Sequence, residues 1–228
     1  MTTPSQDTLE IETGREPTAA IIWMHGLGAD AHDFEPIVPE LAPAIGTPVR
    51  FVFPNAPVRP ITVNAGYPMR AWFDIIGFGE GFPQDEAGIR ASAATIRQLI
   101  EAQNARGIPT SRIVLAGFSQ GAAMAVFTGT RYPERLAGIL ALSGFPLLPA
   151  TLDAEAHEAN AGTPVFIGHG TQDPLVPPRG GEEVKKALES RGHPVEWHAY
   201  PMPHSVSPEE VRDIASWLHR QLAPRPQK

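Results

Sequence analysis

The chain has no cysteine among its 228 residues. Without thiols it can form neither disulfides nor thiolate metal sites, and a cysteine nucleophile is excluded. The absence is typical of proteins in a reducing compartment such as the cytoplasm, where disulfides are rare.

Long apolar runs and basic clusters are also missing. No apolar stretch approaches the roughly 20 residues that a membrane-spanning helix needs. The N-terminal sequence MTTPSQDTLE lacks the cationic start and apolar core of a signal peptide. Lys and Arg number 18 against 25 Asp and Glu, and they are scattered, which argues against nucleic acid or an anionic membrane as a partner. We therefore expect a cytoplasmic protein without integral membrane association.

Short apolar, β-prone runs alternate with helical patterns along the chain. Apolar residues make up 42% and charged residues 19%, which suits one compact domain over 1–228. The runs show no clean polar alternation, as is typical of strands buried on both faces. They lie at 20–24, 49–53, 113–116, 138–142, 164–167 and 195–200. The order predicts an α/β fold with a mainly parallel sheet and helices on both faces.

Two helices can be placed from local signals. Residues 85–106 carry apolar side chains at helical spacing and end before Gly107 and Pro109. The last helix is predicted to begin after Ser207, with Pro208 at its first position and Glu210 completing a capping box. Residues 54–84 show no helical pattern and are rich in Pro, Gly and aromatics, so they form either a functional loop or lid, or a surface hairpin.

The sequence GFSQG at 117–121 fits the pattern G-x-S-x-G between a predicted strand and a predicted helix. This pattern is typical of a nucleophile elbow, a sharp and strained turn that exposes the serine hydroxyl at the edge of a sheet. The flanking glycines avoid collisions with the neighbouring strand and helix. Ser119 is therefore the candidate nucleophile. An ordinary tight turn with a capping serine is the alternative.

A serine nucleophile needs a base and an orienting acid, which follow in the order Ser, Asp or Glu, His in this architecture. Asp173 lies just past the strand at 164–167, and His204 follows the strand at 195–200. His169 precedes the acid, so its position in the chain order is wrong for the base. The group His25, Asp30, His32 and Asp33 fits no metal-ligand spacing, and we expect no metal site there.

Acyl transfer also requires two N–H groups for the developing oxyanion. The residue after the nucleophile, Gln120, supplies one backbone N–H. The glycine-rich loop MHGLG at 24–28 follows an early strand, and Leu27 is the expected second donor.

With these features, the chain resembles the carboxylesterase and acyl-protein thioesterase family of α/β-hydrolases from near Leu9 to near Leu222. The matching blocks are HGLG at 25–28, FPNAP at 53–57, RAWFD at 70–74, GFSQG at 117–121, HG at 169–170 with Asp173, and PH at 203–204. The resemblance implies hydrolysis of carboxylic esters, and in some members of thioesters or lysophospholipids, without a cofactor. It implies a triad of Ser119, Asp173 and His204, with the amides of Leu27 and Gln120 as oxyanion donors. Trp72 and Phe73 resemble the segment that lines the acyl pocket.

One departure bears on the substrate. Thioesterase members usually have Asp directly after His-Gly-Leu-Gly, whereas this chain has Ala29. In this respect it resembles the bacterial carboxylesterase branch. This resemblance favours a small ester with a short to medium acyl chain as the substrate. Four other functions stay open: an acyl-protein thioesterase, a lysophospholipase, a perhydrolase or lactonase, and a low-turnover binding protein on the same fold. Whether the protein forms a homodimer also stays open.

Overall fold

The computed structural model describes residues 8–77 and 83–223, which form nine strands. The strands are β1 (Thr8–Glu12), β2 (Ala19–Met24), β3 (Val49–Pro54), β4 (Val58–Ile61), β5 (Tyr67–Arg70), β6 (Ile113–Phe118), β7 (Gly138–Leu142), β8 (Val165–Gly170) and β9 (Val195–Tyr200). Seven of them form one sheet in the order β1-β3-β2-β6-β7-β8-β9. All neighbours in this sheet are parallel except β1 and β3, so the predicted mainly parallel sheet is confirmed.

Helices cover both faces of the sheet, as predicted. They are α1 (Val38–Ile45), α2 (Glu86–Ala105), α3 (Gln120–Thr130), α4 (Leu152–Glu155), α5 (Pro178–Glu189) and α6 (Pro208–Leu222). Short 3-10 helices lie at Glu35–Ile37, Thr62–Asn64, Thr110–Arg112, Pro149–Thr151 and Glu158–Asn160. One apolar core joins the sheet to α1 and α6, and the other joins it to α2, α3 and α5.

The central strand β2 shows why the apolar runs do not alternate. Ile21 and Trp23 enter the core beneath α1 and α6, whereas Ile22 and Met24 enter the core on the opposite face. Every residue of the strand is buried, so both faces select apolar side chains.

The two predicted helices are confirmed as α2 and α6. The Asp85 carboxylate caps α2 by accepting from the Gly88 amide at 2.9 Å. The Ser207 hydroxyl caps α6 by accepting from the Glu210 amide at 3.1 Å. The Glu210 carboxyl does not complete the expected capping box. Neither of its oxygens has a hydrogen-bond partner within the described part of the chain, and the carboxyl is buried against Gly168 of β8.

Within the segment 54–84, strands β4 and β5 form an antiparallel hairpin. Asp74 anchors the hairpin by accepting from the amide and the hydroxyl of Thr62, at 2.8 and 2.5 Å. Residues 78–82 of this segment, and 1–7 and 224–228 of the predicted domain, lie outside the described residues. Closure of 54–84 as a lid and the single domain over 1–228 stay predictions.

None of the helices within 8–77 and 83–223 combines the length and the apolar character that crossing a lipid bilayer requires.

Candidate active site

Ser119 lies on the one-residue turn between the end of β6 and the start of α3. Its backbone has φ 55° and ψ −118°, a conformation that side-chain-bearing residues rarely adopt. Its amide donates to the Leu142 carbonyl at 2.8 Å, which holds the turn against the end of β7. The residue is partly exposed. The strained turn predicted from GFSQG is confirmed.

The two glycines of the motif are required by close backbone approach. A Cβ atom on Gly117 would lie 2.2 Å from the carbonyl carbon of Gly121. A Cβ atom on Gly121 would lie 2.1 Å from the carbonyl oxygen of Met24, at the end of β2. Any larger residue at these positions would push α3 away from β2 and from the loop that follows β2.

That loop lies directly over the serine. A Cβ atom on Gly26 would lie 3.5 Å from the Cβ of Ser119. The Gly28 amide is occupied by the Arg70 carbonyl at 2.8 Å. By contrast, the amides of Leu27 and Gln120 donate no hydrogen bond within the described part of the chain. Two amides without an acceptor beside a serine are what an oxyanion hole requires.

Asp173 and His204 form a direct pair. The Nδ1 of His204 lies 2.6 Å from Oδ2 of Asp173, whose carboxylate is fully buried. The other oxygen, Oδ1, accepts from the amides of Leu175 and Val176 at 2.9 and 2.8 Å. Because a carboxylate only accepts, the proton of the neutral imidazole lies on Nδ1, which leaves the lone pair on Nε2.

Backbone contacts pin the loops of the acid and the base to each other. The amides of Thr171 and Gln172 donate to the carbonyls of Tyr200 and Met202, at 2.8 and 3.1 Å. Gly170 packs so closely that a Cβ atom there would lie 2.4 Å from the Met202 carbonyl oxygen. The adjacent ends of β8 and β9 therefore place the two side chains together.

The base faces the nucleophile's turn. The His204 ring lies 4.6 Å from the ring of Phe118, the residue before Ser119. The Ser119 hydroxyl and the His204 ring are not hydrogen-bonded to each other among the contacts of the described residues. Such bonds are often long without substrate and shorten when it binds.

His169 supports the acid loop, a role that the sequence analysis missed. It is buried, and its Nε2 lies 2.9 Å from the Val176 carbonyl oxygen. The same nitrogen is 3.8 Å from Oδ2 of Asp173, beyond hydrogen-bond distance. The only sequence signal was the position of His169 at the end of a buried strand, four residues before the acid.

Trp72 and Phe73 are buried, with 1% and 3% of their surfaces exposed. The Trp72 amide donates to Oε1 of Gln120 at 3.0 Å, and Nε2 of Gln120 donates to the Phe73 carbonyl at 2.9 Å. The Ser92 hydroxyl donates to the Trp72 carbonyl. These contacts make the 72–73 segment a support behind the serine, and its role in lining the acyl pocket stays a prediction.

The histidines near the first loop take separate partners. His32 is exposed and its Nδ1 lies 2.7 Å from the Glu35 carboxylate. His25 is buried, and in the described contacts its imidazole ring bonds to backbone groups, the Gly26 carbonyl and the Ala56 amide.

Known proteins resemble this chain along most of its length. The family described as Phospholipase/Carboxylesterase matches residues 6–222. Acyl-protein thioesterase 1 of Mycosarcoma maydis is 38% identical over 226 residues, covering 92% of this chain and 94% of that protein. Acyl-protein thioesterase 1 of Gibberella zeae is 38% identical over 217 residues, covering 91% and 92%.

Solved structures share the architecture. The crystal structure of Zea mays acyl-protein thioesterase 2 has a TM-score of 0.82 at 28% identity, covering 95% of this chain and 99% of that one. Arabidopsis thaliana SOBER1 has a TM-score of 0.82 at 31% identity, covering 90% and 99%. The α/β-hydrolase fold predicted from the sequence is thereby confirmed.

Proposed function

Because the chain belongs to the phospholipase/carboxylesterase family of hydrolases, we propose that it cleaves carboxylic esters of short to medium acyl chains through an acyl-enzyme on Ser119. The family supports hydrolysis of esters or thioesters. The serine mechanism and the preference for a small ester are the proposal.

Each step has a residue in position. The Ser119 hydroxyl attacks the carbonyl carbon while Nε2 of His204 takes its proton. The amides of Leu27 and Gln120 then stabilise the oxyanion, and the N-terminus of α3 contributes its positive dipole end. His204 returns the proton to the departing alcohol, leaving the acyl group on Ser119. A water molecule then attacks the acyl carbonyl while the same imidazole takes its proton, and His204 returns that proton to the Ser119 oxygen as the carboxylic acid departs.

The contact between Phe118 and His204 is the observation that carries this proposal. A ring separation of 4.6 Å puts the imidazole beside the serine's turn. The same imidazole is bonded to the buried carboxylate of Asp173 at 2.6 Å. A purely structural serine turn would require neither an adjacent acid–base pair nor two amides without an acceptor.

Thioester hydrolysis is the second candidate. Two relatives that are each 38% identical are named acyl-protein thioesterase 1. Against it stands Ala29, at the position after His-Gly-Leu-Gly where thioesterases usually have Asp. Both substrates pass through the same tetrahedral intermediate, so the catalytic residues do not distinguish them.

The test is kcat/KM across acyl chains from acetyl to palmitoyl, with each acyl group presented as an ester and as a thioester. We expect the maximum on a short or medium ester. A maximum on a long-chain thioester would replace the proposed substrate. A single stoichiometric burst without turnover would indicate a binding protein, and peracid formation exceeding hydrolysis would indicate a perhydrolase.

Ser119→Ala tests the nucleophile. We expect kcat to fall by about a million-fold, on the precedent of subtilisin. A fluorophosphonate should label the wild-type protein at Ser119 and leave the variant unlabelled. Ser216→Ala is the matched control, since this serine of α6 is exposed and its hydroxyl donates to the Arg212 carbonyl of its own helix. Activity above one per cent in a folded Ser119→Ala would refute the assignment.

The other expectations from the sequence remain predictions. They are a cytoplasmic location, a small-molecule ester or thioester as the partner, and no role for nucleic acid. Gel filtration would decide whether the protein forms a homodimer.

A further inference from the structure

His25 is a buried histidine beside the active site that none of the proposed steps uses. It is the first residue after β2, and only 2% of its surface is exposed. Its Nδ1 lies 2.7 Å from the Gly26 carbonyl oxygen, and its Nε2 lies 3.0 Å from the Ala56 amide.

These two contacts determine where the imidazole proton lies. The Ala56 amide can only donate, so Nε2 must carry the lone pair. The proton of the neutral ring is then on Nδ1, which donates it to the Gly26 carbonyl. Burial lowers the pKa of His25, which favours this neutral form, while the Gly26 carbonyl and Asp33 oppose the shift.

The geometry points to His25 as a positioning residue that orients the Gly26–Leu27 peptide and thereby directs the Leu27 amide at the oxyanion. This inference rests on the proposed function. In a planar trans peptide the C=O and the N–H point in opposite directions. A hydrogen bond that holds the Gly26 carbonyl toward the imidazole therefore turns the Leu27 N–H to the other side.

The need for such a tie follows from the residue type at position 26. Glycine lacks the Cβ that restricts backbone rotation, so the peptide after it can rotate easily unless it is held. A Cβ atom at this position would approach both Phe118 and Ser119, to 3.4 and 3.5 Å. These are ordinary contact distances, so the loop passes beside the serine, and at a glycine its rigidity has to come from other contacts.

Trp72 ties this arrangement to the second oxyanion donor. Its indole N–H donates to the His25 carbonyl at 2.9 Å, and its backbone amide donates to the Gln120 side chain at 3.0 Å. The loop that carries the Leu27 amide and the turn that carries the Gln120 amide are thus joined through one buried residue. Donors that are fixed before the reaction stabilise the transition state without reorganising.

Two substitutions separate the two contacts of the imidazole. In His25→Asn the side-chain NH₂ takes the place of Nδ1 and can still donate to the Gly26 carbonyl. In His25→Gln the longer amide reaches the place of Nε2, so it can accept from Ala56 but no longer holds the Gly26 carbonyl. We expect kcat to fall about 100-fold or more in His25→Gln and by no more than about tenfold in His25→Asn, with KM within about threefold in both.

Binding of an aryl trifluoromethyl ketone supplies a second readout, because its adduct with Ser119 carries an oxyanion. Its affinity should fall in parallel with kcat. His193→Gln is the matched control for His25→Gln, because His193 is also buried and its Nδ1 also bonds a backbone carbonyl, that of Thr163 at 3.0 Å. The control should lose stability without losing kcat or affinity for the ketone.

Nitrogen-15 NMR of the wild-type imidazoles tests the proposal without any variant. It should show His25 protonated on Nδ1, and a proton on Nε2 would overturn the inference. Equal kcat in folded His25→Gln and wild type, or no advantage of Asn over Gln, would also overturn it. Ser119→Ala measured alongside keeps the two ideas distinct: an active Ser119→Ala refutes the proposed function, whereas an inactive one with fully active His25 variants refutes only the role of His25.

Discussion

Trp72 and Gln120, 48 positions apart in the chain, are hydrogen-bonded through the Trp72 backbone amide and Oε1 of Gln120 at 3.0 Å. The same side chain donates to the Phe73 carbonyl at 2.9 Å, and Gln120 is wholly buried. Under the proposed mechanism Gln120 has two separable functions. Its side chain holds the 72–73 segment, and its backbone N–H is the proposed oxyanion donor.

Gln120→Ala should separate these functions. The backbone N–H remains, so kcat on a short ester should fall by at most about tenfold, whereas deletion of a true donor costs about 100- to 1,000-fold. The Trp72 amide and the Phe73 carbonyl lose their partner inside the protein, so the free energy of unfolding should fall by about 2–4 kcal/mol. Urea denaturation and kcat measure the two effects.

Gln103→Ala is the control for Gln120→Ala. Gln103 is likewise buried, and its Oε1 accepts from Arg50 at 3.0 Å, at the C-terminal end of α2. It should lose stability with kcat unchanged. A folded Gln120→Ala slowed 1,000-fold would show that the side-chain amide, rather than the main chain, stabilises the oxyanion.

Asp173→Asn should lower kcat by up to about 10,000-fold with KM nearly unchanged, on the precedent of serine proteases. An amide NH₂ facing His204 would force the proton onto Nε2, so the ring could no longer accept the serine proton. Asp153→Asn is the control, because Asp153 is 93% exposed and pairs with Arg191 at the surface. If Asp153→Asn or Asp74→Asn were inactive and Asp173→Asn active, the acid would be misassigned.

His169→Phe should reduce stability more than chemistry. It removes the bond to the Val176 carbonyl, and we expect a loss of about 1–3 kcal/mol in the free energy of unfolding. The fall in kcat should stay within about tenfold, because His169 carries no proton in the reaction. A loss of 1,000-fold or more in a folded variant, measured with the same short ester, would mean that His169 takes part in the proton transfer.

Glu210 makes stability depend on pH in an unusual direction. Burial raises the pKa of its carboxyl from 4.5 to about 8, and the nearby Ser207 amide offsets this only in part. Between these values the folded state holds a proton that the unfolded state releases, so this residue's contribution to stability falls as pH rises from about 4.5 to about 8.

Glu210→Gln imitates the protonated acid and removes that dependence. Relative to wild type, the variant should gain on the order of 3 kcal/mol in the free energy of unfolding between pH 5 and pH 8. Denaturant titrations at both pH values measure the change. Glu209→Gln, an exposed neighbour in the same helical turn, should show no such change. A Glu210→Gln difference that is equal at both pH values would contradict a buried neutral acid.

Local signals in the sequence determined six of the seven sheet strands, the start of α6 and the strained turn at Ser119. Buried strands, helix caps and tight turns depend on neighbouring residues, so their patterns are readable without knowing the fold. Strand β1 and the β4–β5 hairpin were harder to predict from the sequence. The short segment TLEIE is only partly buried and pairs antiparallel at the sheet edge, where the core selects side chains on one face alone.

Only the tertiary structure decided how the site is supported. The bonds of His25 to Ala56, Trp72 to Gln120 and His169 to Val176 join buried polar groups to particular backbone atoms. A sequence shows which side chains can donate or accept. It does not show which backbone groups will lie within 3 Å of them, because that depends on how distant segments pack, and a buried polar group must pair with whatever the packing brings to it.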